Sequence, residues 1–283
     1  MDRLNKRDGN VLVKVFIYAV CIFFAVLSIW PFIVMVVNAT RSTTQIQQHA
    51  VSLIPSKYLM KNWAVFEGKS FSPKTGLINS VIISTGTTLL TIYFSTLTAY
   101  AVVAYDWKMR NAFYTMILCV MMIPQTIVSI GFYQFMFKLG MSNNILALII
   151  PSIAAPSCVF FMRQFMMASL PLEILDSARI DGSKEFYTFN KIALPMMKPA
   201  MATQGIFTFV SSWNQLFLPS LLLTKDAKKT LPVMVSMLKG DIYKTEYGTV
   251  YLGLTLTVLP LFVVYFSLSR YIIAGVALGG VKG

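Results

Sequence analysis

The stretch DSARIDGSKEFYTFNKIALP, residues 176–195, is a polar segment with regular spacing between two long apolar segments. Three residues separate its acidic and small first triplet from a glycine, and nine more lead to an Ile-x-Leu-Pro ending. The residues that set this spacing are Asp176, Ser177, Ala178, Gly182, Ile192, Leu194 and Pro195. A bundle of apolar helices does not need such a segment for its own stability. We therefore expect it to contact something in water.

The composition indicates a membrane protein. Of the 283 residues, 56% are hydrophobic and only 12% are charged, about half the charged fraction of a typical soluble domain. A bilayer crossing needs about 20 apolar residues, and six continuous runs reach that length. They are Val11–Val37, Leu77–Ala104, Asn111–Phe137, Ile145–Met167, Ala200–Thr224 and Gly248–Gly275. Continuous rather than alternating runs favour helices over a barrel.

Orientation rests on the first span. It is too long for a signal-peptide core and has no small-residue cleavage site after it, so we interpret it as a retained helix. Basic residues divide almost evenly between the two sides, but Arg3, Lys6, Arg7 and Lys14 crowd the N-terminal flank. The positive-inside rule then places the N-terminus in the cytoplasm. With six spans, the C-terminus is cytoplasmic too, and the net charge of +13 suits anionic lipid better than nucleic acid.

The polar segment itself predicts two short helices. Pro171 can open the first, with Glu173 near the positive end of its dipole. Gly182 suits a left-handed stop, and Ser183 can cap the second helix. Apolar faces are predicted at Ile174, Leu175 and Ala178 and at Phe186, Phe189 and Ile192 or Ala193. Small side chains would let another backbone approach, although an amphipathic loop resting on lipid head groups fits the same pattern.

The sequence contains no recognisable catalytic or metal-binding motif. Gly68-Lys69-Ser70 lacks the glycine that a phosphate-binding loop needs five positions earlier, where Trp63 stands. The cysteines fall inside predicted helices, without the paired spacing of a disulfide framework or zinc site. His49 is far from any cluster of carboxylates. We predict that the chain is not an enzyme and binds no metal or cofactor.

The spacing of residues 176–195 resembles the cytoplasmic coupling loop of binding-protein-dependent ABC importer permeases. That pattern is EAA, three residues, G, nine residues and I-x-L-P. Gly182, Ile192, Leu194 and Pro195 match it, while Asp176 and Ser177 replace the usual Glu and Ala. Further similarity to carbohydrate permeases lies in Met122–Tyr133, Leu139–Asn144, Phe161–Phe165, Ala178–Gly182 and Ser212–Gln215. The closest match in kind is the shorter permease subunit of maltose-type oligosaccharide importers.

The resemblance implies an all-α integral membrane protein with six transmembrane helices and the type I ABC importer permease fold. It implies a paralogous permease, two ATPase subunits that use ATP and Mg, and an extracytoplasmic sugar-binding protein as partners. Residues 1–75 would form the N-terminal tail, first helix and outer loop, 76–275 the core with a coupling loop at 169–198, and 276–283 a cytoplasmic tail. The residues expected to couple to the ATPase are Glu173, Asp176, Ser177, Ala178, Asp181, Gly182, Ile192, Leu194 and Pro195.

Two further groups of residues are candidates for contacts with solute and partner. Polar side chains in the apolar spans are costly in hydrocarbon and should face protein or water. The substrate-path candidates are Gln125, Ser211, Ser212, Trp213, Asn214 and Gln215. Trp213 could stack on a sugar face, and helix–helix hydrogen bonding is the alternative role. By the resemblance, the second outer loop meets the binding protein through Leu231, Met234, Met237, Lys239 and Asp241, or else it caps its own bundle.

Other solutes and other transporter classes remain as alternatives. An ABC permease for amino acids, phosphate or a lipid-like molecule would share the coupling loop. We expect no Arg or Lys inside the transmembrane helices, and this absence argues against a transport path for anions. An ion-coupled secondary transporter should carry acids within its spans, and no Asp or Glu lies well inside a span here. A channel would need a filter loop that the sequence lacks.

Overall fold

The structure is a computed structural model that describes residues 2–68, 72–239 and 245–280. The described residues form helices joined by loops and turns, with no β-strand among them. In chain order the helices are α1 (Asp2–Ala39), α2 (Thr43–Gln48), α3 (Leu59–Glu67), α4 (Pro73–Ala104), α5 (Arg110–Met121), α6 (Gln125–Lys138), α7 (Leu146–Ile149), α8 (Pro156–Ser169), α9 (Leu172–Ile180), α10 (Glu185–Thr188), α11 (Leu194–Met196), α12 (Lys198–Trp213), α13 (Phe217–Leu222), α14 (Leu231–Met237) and α15 (Tyr247–Gly280).

Among the described residues, four stretches of helix are long and apolar enough to cross a membrane. They are Val13–Ala39, Pro73–Ala104, Leu146–Ser169 and Tyr247–Ser267. In the first, side chains such as Phe16 and Phe23 lie more than half exposed. Such continuous apolar surface matches a lipid environment rather than water. The protein is therefore an integral membrane protein.

The predicted continuous span Asn111–Phe137 is wrong, because two helices replace it. Helices α5 and α6 meet at a 98° bend. Pro124 stands directly before α6. Proline has no backbone N–H to donate and clashes with the carbonyl four residues earlier, so it kinks or breaks a helix. Helices α1 and α15 continue past Pro31 and Pro260, whereas the chain breaks at Pro124. Counted as one bent span, the pair makes a fifth crossing.

The predicted span Ala200–Thr224 is also interrupted. Helix α12 ends at Trp213, and α13 begins at Phe217. At about 1.5 Å per residue, the 16 residues of α12 cover roughly 24 Å of the approximately 30 Å hydrocarbon layer. Neither segment alone meets the length of a membrane span, so a sixth crossing is not established.

Contacts between Cα atoms divide the chain into two units. One contains Met1–Lys69 and Met237–Leu256, and the other contains Ser70–Ser236 and Thr257–Gly283. The expected boundary near residue 75 is close to this division, but Met237–Leu256 groups with the N-terminal part rather than with the core. Helix α15 also continues to Gly280, past the expected start of a tail at residue 276.

The first unit is organised around a buried arginine. The guanidinium of Arg41 donates to Asn38 Oδ1 at 2.9 Å and to two backbone carbonyls, His49 O at 2.7 Å and Gln45 O at 2.9 Å. Asn62 Nδ2 donates to the carbonyl of Arg41 at 3.0 Å. A Cβ at Gly248 would collide with the same carbonyl. Glycine is thus required where this backbone comes close to the cluster.

The main core of the second unit joins the C-terminal half of α4 to α8, to the segment after it and to the start of α12. Its members include Tyr100, Met162, Leu175, Phe189 and Ala200. All of these side chains lie in the interior of the unit. The polar segment of residues 169–198, called the hairpin below, is therefore packed on the membrane helices through its apolar face.

The hairpin and the membrane cavities

The first arm of the hairpin is α9, which buries one face. Leu175 and Ala178 are buried, while Glu173, Asp176 and Ser177 are exposed on the other side. This apolar face was predicted, except that Ile174 is 42% exposed. Burial of Ala178 corrects its expected role as a contact, because its methyl group already packs inside this chain. Ser177 stays accessible, although its hydroxyl donates to Glu173 O at 2.9 Å.

Gly182 ends α9 in the left-handed conformation, as predicted. Its φ is +80°, and Ser183 N donates to Ala178 O at 2.9 Å, a bond typical of a glycine-terminated helix. A Cβ built on Gly182 would meet nothing within 4 Å. The backbone angle requires glycine here, and crowding inside this chain does not. Asp181 and Gly182 lie at an exposed tip.

The second arm differs from the prediction at both ends. Lys184, not Ser183, stands before α10; the Ser183 hydroxyl instead pairs with that of Thr188 at 2.7 Å. Pro195 does not end the arm but lies inside α11. A π-helical turn over Phe189–Ala193 precedes it. Because Pro195 has no N–H, the ordinary bond to Lys191 is missing, and a wider turn accommodates that loss.

A charged cluster joins the two arms to the end of α4. The Arg179 guanidinium contacts Asp176 Oδ1 and Glu185 Oε1, each at 3.0 Å, and donates to Ala104 O at 3.0 Å. The hydroxyl of Tyr105 donates to Glu185. Sequence reasoning missed this cluster, since only the fold brings Tyr105 next to Glu185. Its members, Arg179, Glu185 and Tyr105, are called the charged cluster below.

Electrostatics of the charged cluster favour its ionised form at neutral pH. The hydrogen bond from Tyr105, with support from Arg179, lowers the pKa of the Glu185 carboxyl. Burial, together with that same bond to Glu185, raises the pKa of the Tyr105 hydroxyl. The hydrogen bond to Glu185 raises the pKa of the Arg179 guanidinium. Charge-assisted bonds of this kind orient the arms as well as hold them.

Three apolar side chains project from the hairpin. Ile180 is 87% exposed, Phe186 67% and Tyr187 59%. The predicted apolar face of the second arm is confirmed at Phe189 and Ala193, which are buried, but the prediction is wrong for Phe186. Ile192 and Leu194 pack partly against the core, and Pro195 is exposed. Ile180, Phe186 and Tyr187 are therefore the most exposed large apolar side chains of the hairpin, and they are called the apolar patch below.

Two adjoining cavities in the second unit have neutral polar linings. One of about 390 Å³ is lined by Gln204, Thr208, Ser211, Ser212 and Gln215, and by Thr87 and Thr91 of α4. The other, of about 520 Å³, includes Gln125 and Ser129. Both cavities are lined by Leu148, Ser157 and Leu218, and no charged residue lines either one. Hydroxyl and amide groups in an apolar wall can bind a neutral polyol.

Two predicted path residues lie elsewhere. Trp213 is buried, stacks on Phe209 with 5.7 Å between ring centroids and donates its indole N–H to Thr257 O at 3.0 Å. It has no free face for a sugar. Asn214 is exposed after the end of α12 and lines neither cavity. Gln204 and Thr208 were missed, although they precede Ser211 by seven and three residues on one helix face.

Helix α14 begins at Leu231, as expected. Most of its residues are buried and cannot contact a binding protein. Leu231 through Val235 are buried. The N–H of Leu231 donates to Ser80 Oγ at 2.9 Å, so the alternative of a segment packed on its own bundle is confirmed here. Leu231 and Met234 are therefore removed as contact candidates. Met237 and Lys239 are exposed, and Asp241 lies outside the described residues.

Arg163 contradicts the expectation that the helices contain no cation. It lies in α8, within the membrane stretch Leu146–Ser169. Its guanidinium carbon is 4.0 Å from the ring centroid of Tyr114. Arg163 lines neither of the two neutral cavities. It lines a third cavity, which is described below. A membrane-spanning stretch of helix thus contains a cation that lines neither neutral cavity.

The helical fold, the membrane-spanning stretches and the residue spacing of the hairpin define a class: a membrane transport component. Residues 91–277 match the family described as the binding-protein-dependent transport system inner membrane component. The chain belongs to that family, and it is a permease component of a binding-protein-dependent transport system.

Relatives are similar over almost their whole length. The chain is 35% identical to the arabinooligosaccharides transport system permease protein of Halalkalibacterium halodurans, over 92% of this chain and 94% of that one. It is 35% identical to the lactose transport system permease protein of Rhizobium radiobacter over 100% of both. It is 30% identical to the sn-glycerol-3-phosphate transport system permease protein of Yersinia enterocolitica, over 96% and 98%.

A solved structure shares the fold. One chain of a bacterial ABC transporter involved in the import of the acidic polysaccharide alginate superposes with a TM-score of 0.78. The match covers 93% of this chain and 98% of that one at 20% identity. This likeness establishes the fold of an ABC transporter permease.

Proposed function

We propose that the chain is one of two permease subunits of an ATP-driven importer that carries a neutral oligosaccharide into the cell. The observation that carries the solute class is the lining of the two cavities, which supplies hydroxyls and amides but no charge. Two of the relatives named above have names that refer to neutral sugars. The assembly would contain a paralogous permease, two ATPase subunits that use ATP and Mg, and an extracytoplasmic sugar-binding protein.

Six crossings with both termini in the cytoplasm fit the observed contacts. The N-terminal end of α4 contacts α14, while its C-terminal end contacts the hairpin. The contacting residues Ser80 and Ala104 are 24 residues apart in α4. At about 1.5 Å per residue they lie roughly 36 Å apart, more than the approximately 30 Å hydrocarbon core. These contacts support the proposal that the hairpin and α14 lie on opposite sides of the membrane, which agrees with the predicted topology. The bent α5–α6 pair and the α12–α13 pair supply the third and fifth crossings.

The hairpin couples the permease to ATP hydrolysis. An ATPase surface would dock on Ile180, Phe186 and Tyr187, around the tip formed by Asp181 and Gly182. Movement of the ATPase dimer then displaces the hairpin, and the charged cluster carries that displacement into α4. ATP can drive the change only if these contacts differ between inward-open and outward-open states.

Substitution at Gly182 tests the coupling role. Gly182→Arg should abolish ATP-driven uptake while membrane insertion and assembly persist, because a large cation would stand at the docking tip. Gly182→Asn is the matched control, since Asn tolerates a positive φ and should keep most of the uptake. Normal uptake in a normally assembled Gly182→Arg complex would refute the coupling role.

The apolar patch has its own test. Ile180→Asp should reduce copurification of the ATPase by at least tenfold, because a carboxylate would be buried at the contact. Ile54→Asp, at a residue 76% exposed in the first unit, is the matched control and should leave copurification unchanged. Equal loss in both variants would attribute the effect to general misfolding.

A solute panel separates the neutral sugar from the main alternative, an ABC permease for a charged solute such as the sn-glycerol-3-phosphate named for one relative. Cells lacking only this gene should lose uptake of a neutral labelled oligosaccharide and regain it from the gene. Gln215→Leu should weaken that rescue, whereas Asn214→Leu, just outside the cavity, should not. Rescue confined to charged solutes would exclude the neutral-sugar proposal.

A further inference from the structure

A third cavity in the second unit combines cations with apolar walls. It has a volume of about 270 Å³ and lies where the C-terminal ends of α4 and α8 approach the start of α5. Its polar members are Arg110 and Arg163, and its apolar walls include Val102, Val103, Met167 and Leu170. No acidic residue is among the side chains that line it. The cavity is therefore positively charged and lies on the same side of the membrane as the hairpin.

The positive charge of Arg163 has no counter-ion among the described residues. Its Nε is buried without a hydrogen-bond partner, and so is the hydroxyl of Tyr114, on whose ring the guanidinium stacks. Arg110 is only loosely neutralised: its nearest carboxylate, Asp106, is 3.7 Å away and 94% exposed. Its other contact is the backbone carbonyl of Tyr105 at 3.2 Å.

Stacking on Tyr114 does not provide hydrogen-bond acceptors for the guanidinium of Arg163. A cation–π contact covers the face of the guanidinium, while the N–H donors point outward in its plane and still need acceptors. A buried donor without an acceptor costs free energy, and a charged one costs more. An ionisable residue inside a membrane helix is usually paired with a specific partner. An anion that reaches the cavity would supply the missing acceptors.

We propose that this cavity binds the phosphate group of an anionic phospholipid from the adjoining leaflet. The planar guanidinium fork matches the oxygens of a phosphate, and the valine, methionine and leucine walls suit the glycerol and first acyl carbons of a lipid. Basic cavities between transmembrane helices on the cytoplasmic side bind anionic lipid head groups by the same physics. The inference does not depend on which solute the protein carries.

Lipid retention by the full-length purified protein tests the site. We expect native mass spectrometry in detergent to show phosphatidylglycerol bound more tightly than phosphatidylcholine. Arg163→Gln should weaken phosphatidylglycerol binding about tenfold, the loss expected for a charge-assisted bond. Arg163→Lys, which keeps the charge but not the fork, should lie between. Lys198→Gln removes an exposed cation outside the cavity and should change nothing.

Several outcomes would overturn the proposal. These are equal retention of the two lipids by the unaltered protein, equal loss in Arg163→Gln and Lys198→Gln, and full displacement by inorganic phosphate, which would make free phosphate the ligand. If Arg163→Gln does not fold, Arg110→Gln provides the same measurement, with a loss of phosphatidylglycerol supporting the site and unchanged binding refuting it. Crosslinking of Arg163 to a carboxylate of a partner subunit would also overturn the proposal, because that carboxylate and not a lipid phosphate would then be the counter-ion of Arg163.

Discussion

At its N-terminal end α4 is held by neutral contacts, whereas at its C-terminal end it is held by charged ones. Asn79 Nδ2 donates to Ala227 O and Lys229 O, each at 3.0 Å, and Ser80 accepts from the Leu231 N–H. At the other end, Arg179 and Glu185 of the hairpin contact Ala104 and Tyr105.

Burial differs between the two ends as well. Asn79 and Ser80 are buried, while the Glu185 side chain is 45% exposed and that of Arg179 29%. Buried neutral bonds are costly to break and insensitive to salt, while exposed ion pairs are weak and screened. The comparison indicates that the contacts at the α14 end of α4 are the harder ones to break and that those at the hairpin end are weaker, as the proposed coupling role of the hairpin requires.

The largest expected effect comes from crowding the anchored end. Gly76→Leu would place a side chain where even a Cβ comes 2.5 Å from Met234 Sδ and 3.2 Å from Leu231 Cα. Overpacking of this kind should cost about 3 kcal/mol in the free energy of unfolding, measured in mixed detergent micelles. Gly131→Leu is the control, because a Cβ there meets nothing within 4 Å. Equal stability of the two variants would show that α14 is not a tight anchor.

An intermediate effect is expected at Asn79. Asn79→Ala removes two donors and leaves two carbonyl groups without them, which should cost about 2 kcal/mol. The loss should be the same at low and high salt, because no charge is involved. Asn111→Ala, at an exposed position of α5, should change the free energy of unfolding by less than about 0.5 kcal/mol. A strongly salt-dependent loss at Asn79 would contradict the comparison.

The smallest effect is expected in the charged cluster. Glu185→Gln should cost at most about 1 kcal/mol at pH 7, since the pair is partly exposed, and less at 1 M salt, where the Debye length is about 3 Å. The folded-state pKa of Glu185 lies below its unfolded value, which is about 4.3. Its contribution is therefore present above that pH and is lost as the pH falls through the folded pKa.

Measurement of stability against pH checks this assignment. The difference between the unaltered protein and Glu185→Gln should shrink as the pH falls below the unfolded pKa. It should vanish only below the lowered folded-state pKa of Glu185, where the carboxyl is protonated in both states. Glu67→Gln, at an exposed residue of the first unit, should show no such difference. A gap that persists at low pH would mean that Glu185 acts through packing and not through charge.

Much of the architecture follows from the sequence. Apolar runs predict the membrane helices because hydrocarbon leaves the backbone no other partner than itself. Gly182 could be assigned to a left-handed turn because few other residues adopt one. The spacing around it identified the permease family, which the comparison with known families supports over residues 91–277.

Other features depended on side chains that are distant in sequence. Burial of Ala178 and exposure of Phe186 depend on which face of each arm meets α4 and α8. The pairing of Glu185 with Tyr105 spans 80 residues, and that of Leu231 with Ser80 spans 151. Local patterns carry no information on such pairs. The break after Trp213 lies inside a run whose hydropathy is continuous. Pro124 is a local signal for the other break, but proline alone does not decide it, because α1 and α15 continue through Pro31 and Pro260.

The sequence by itself determined that this protein is a helical membrane permease with a polar hairpin, because hydropathy and the residue spacing of that segment are local properties. Only the tertiary structure decided which side chains the hairpin buries or presents and which polar residues line a cavity. It also decided that Arg163 faces a cavity without a counter-ion. The physical reason is that burial and charge balance belong to the packed unit, where residues far apart in the chain supply or withhold each other's partners.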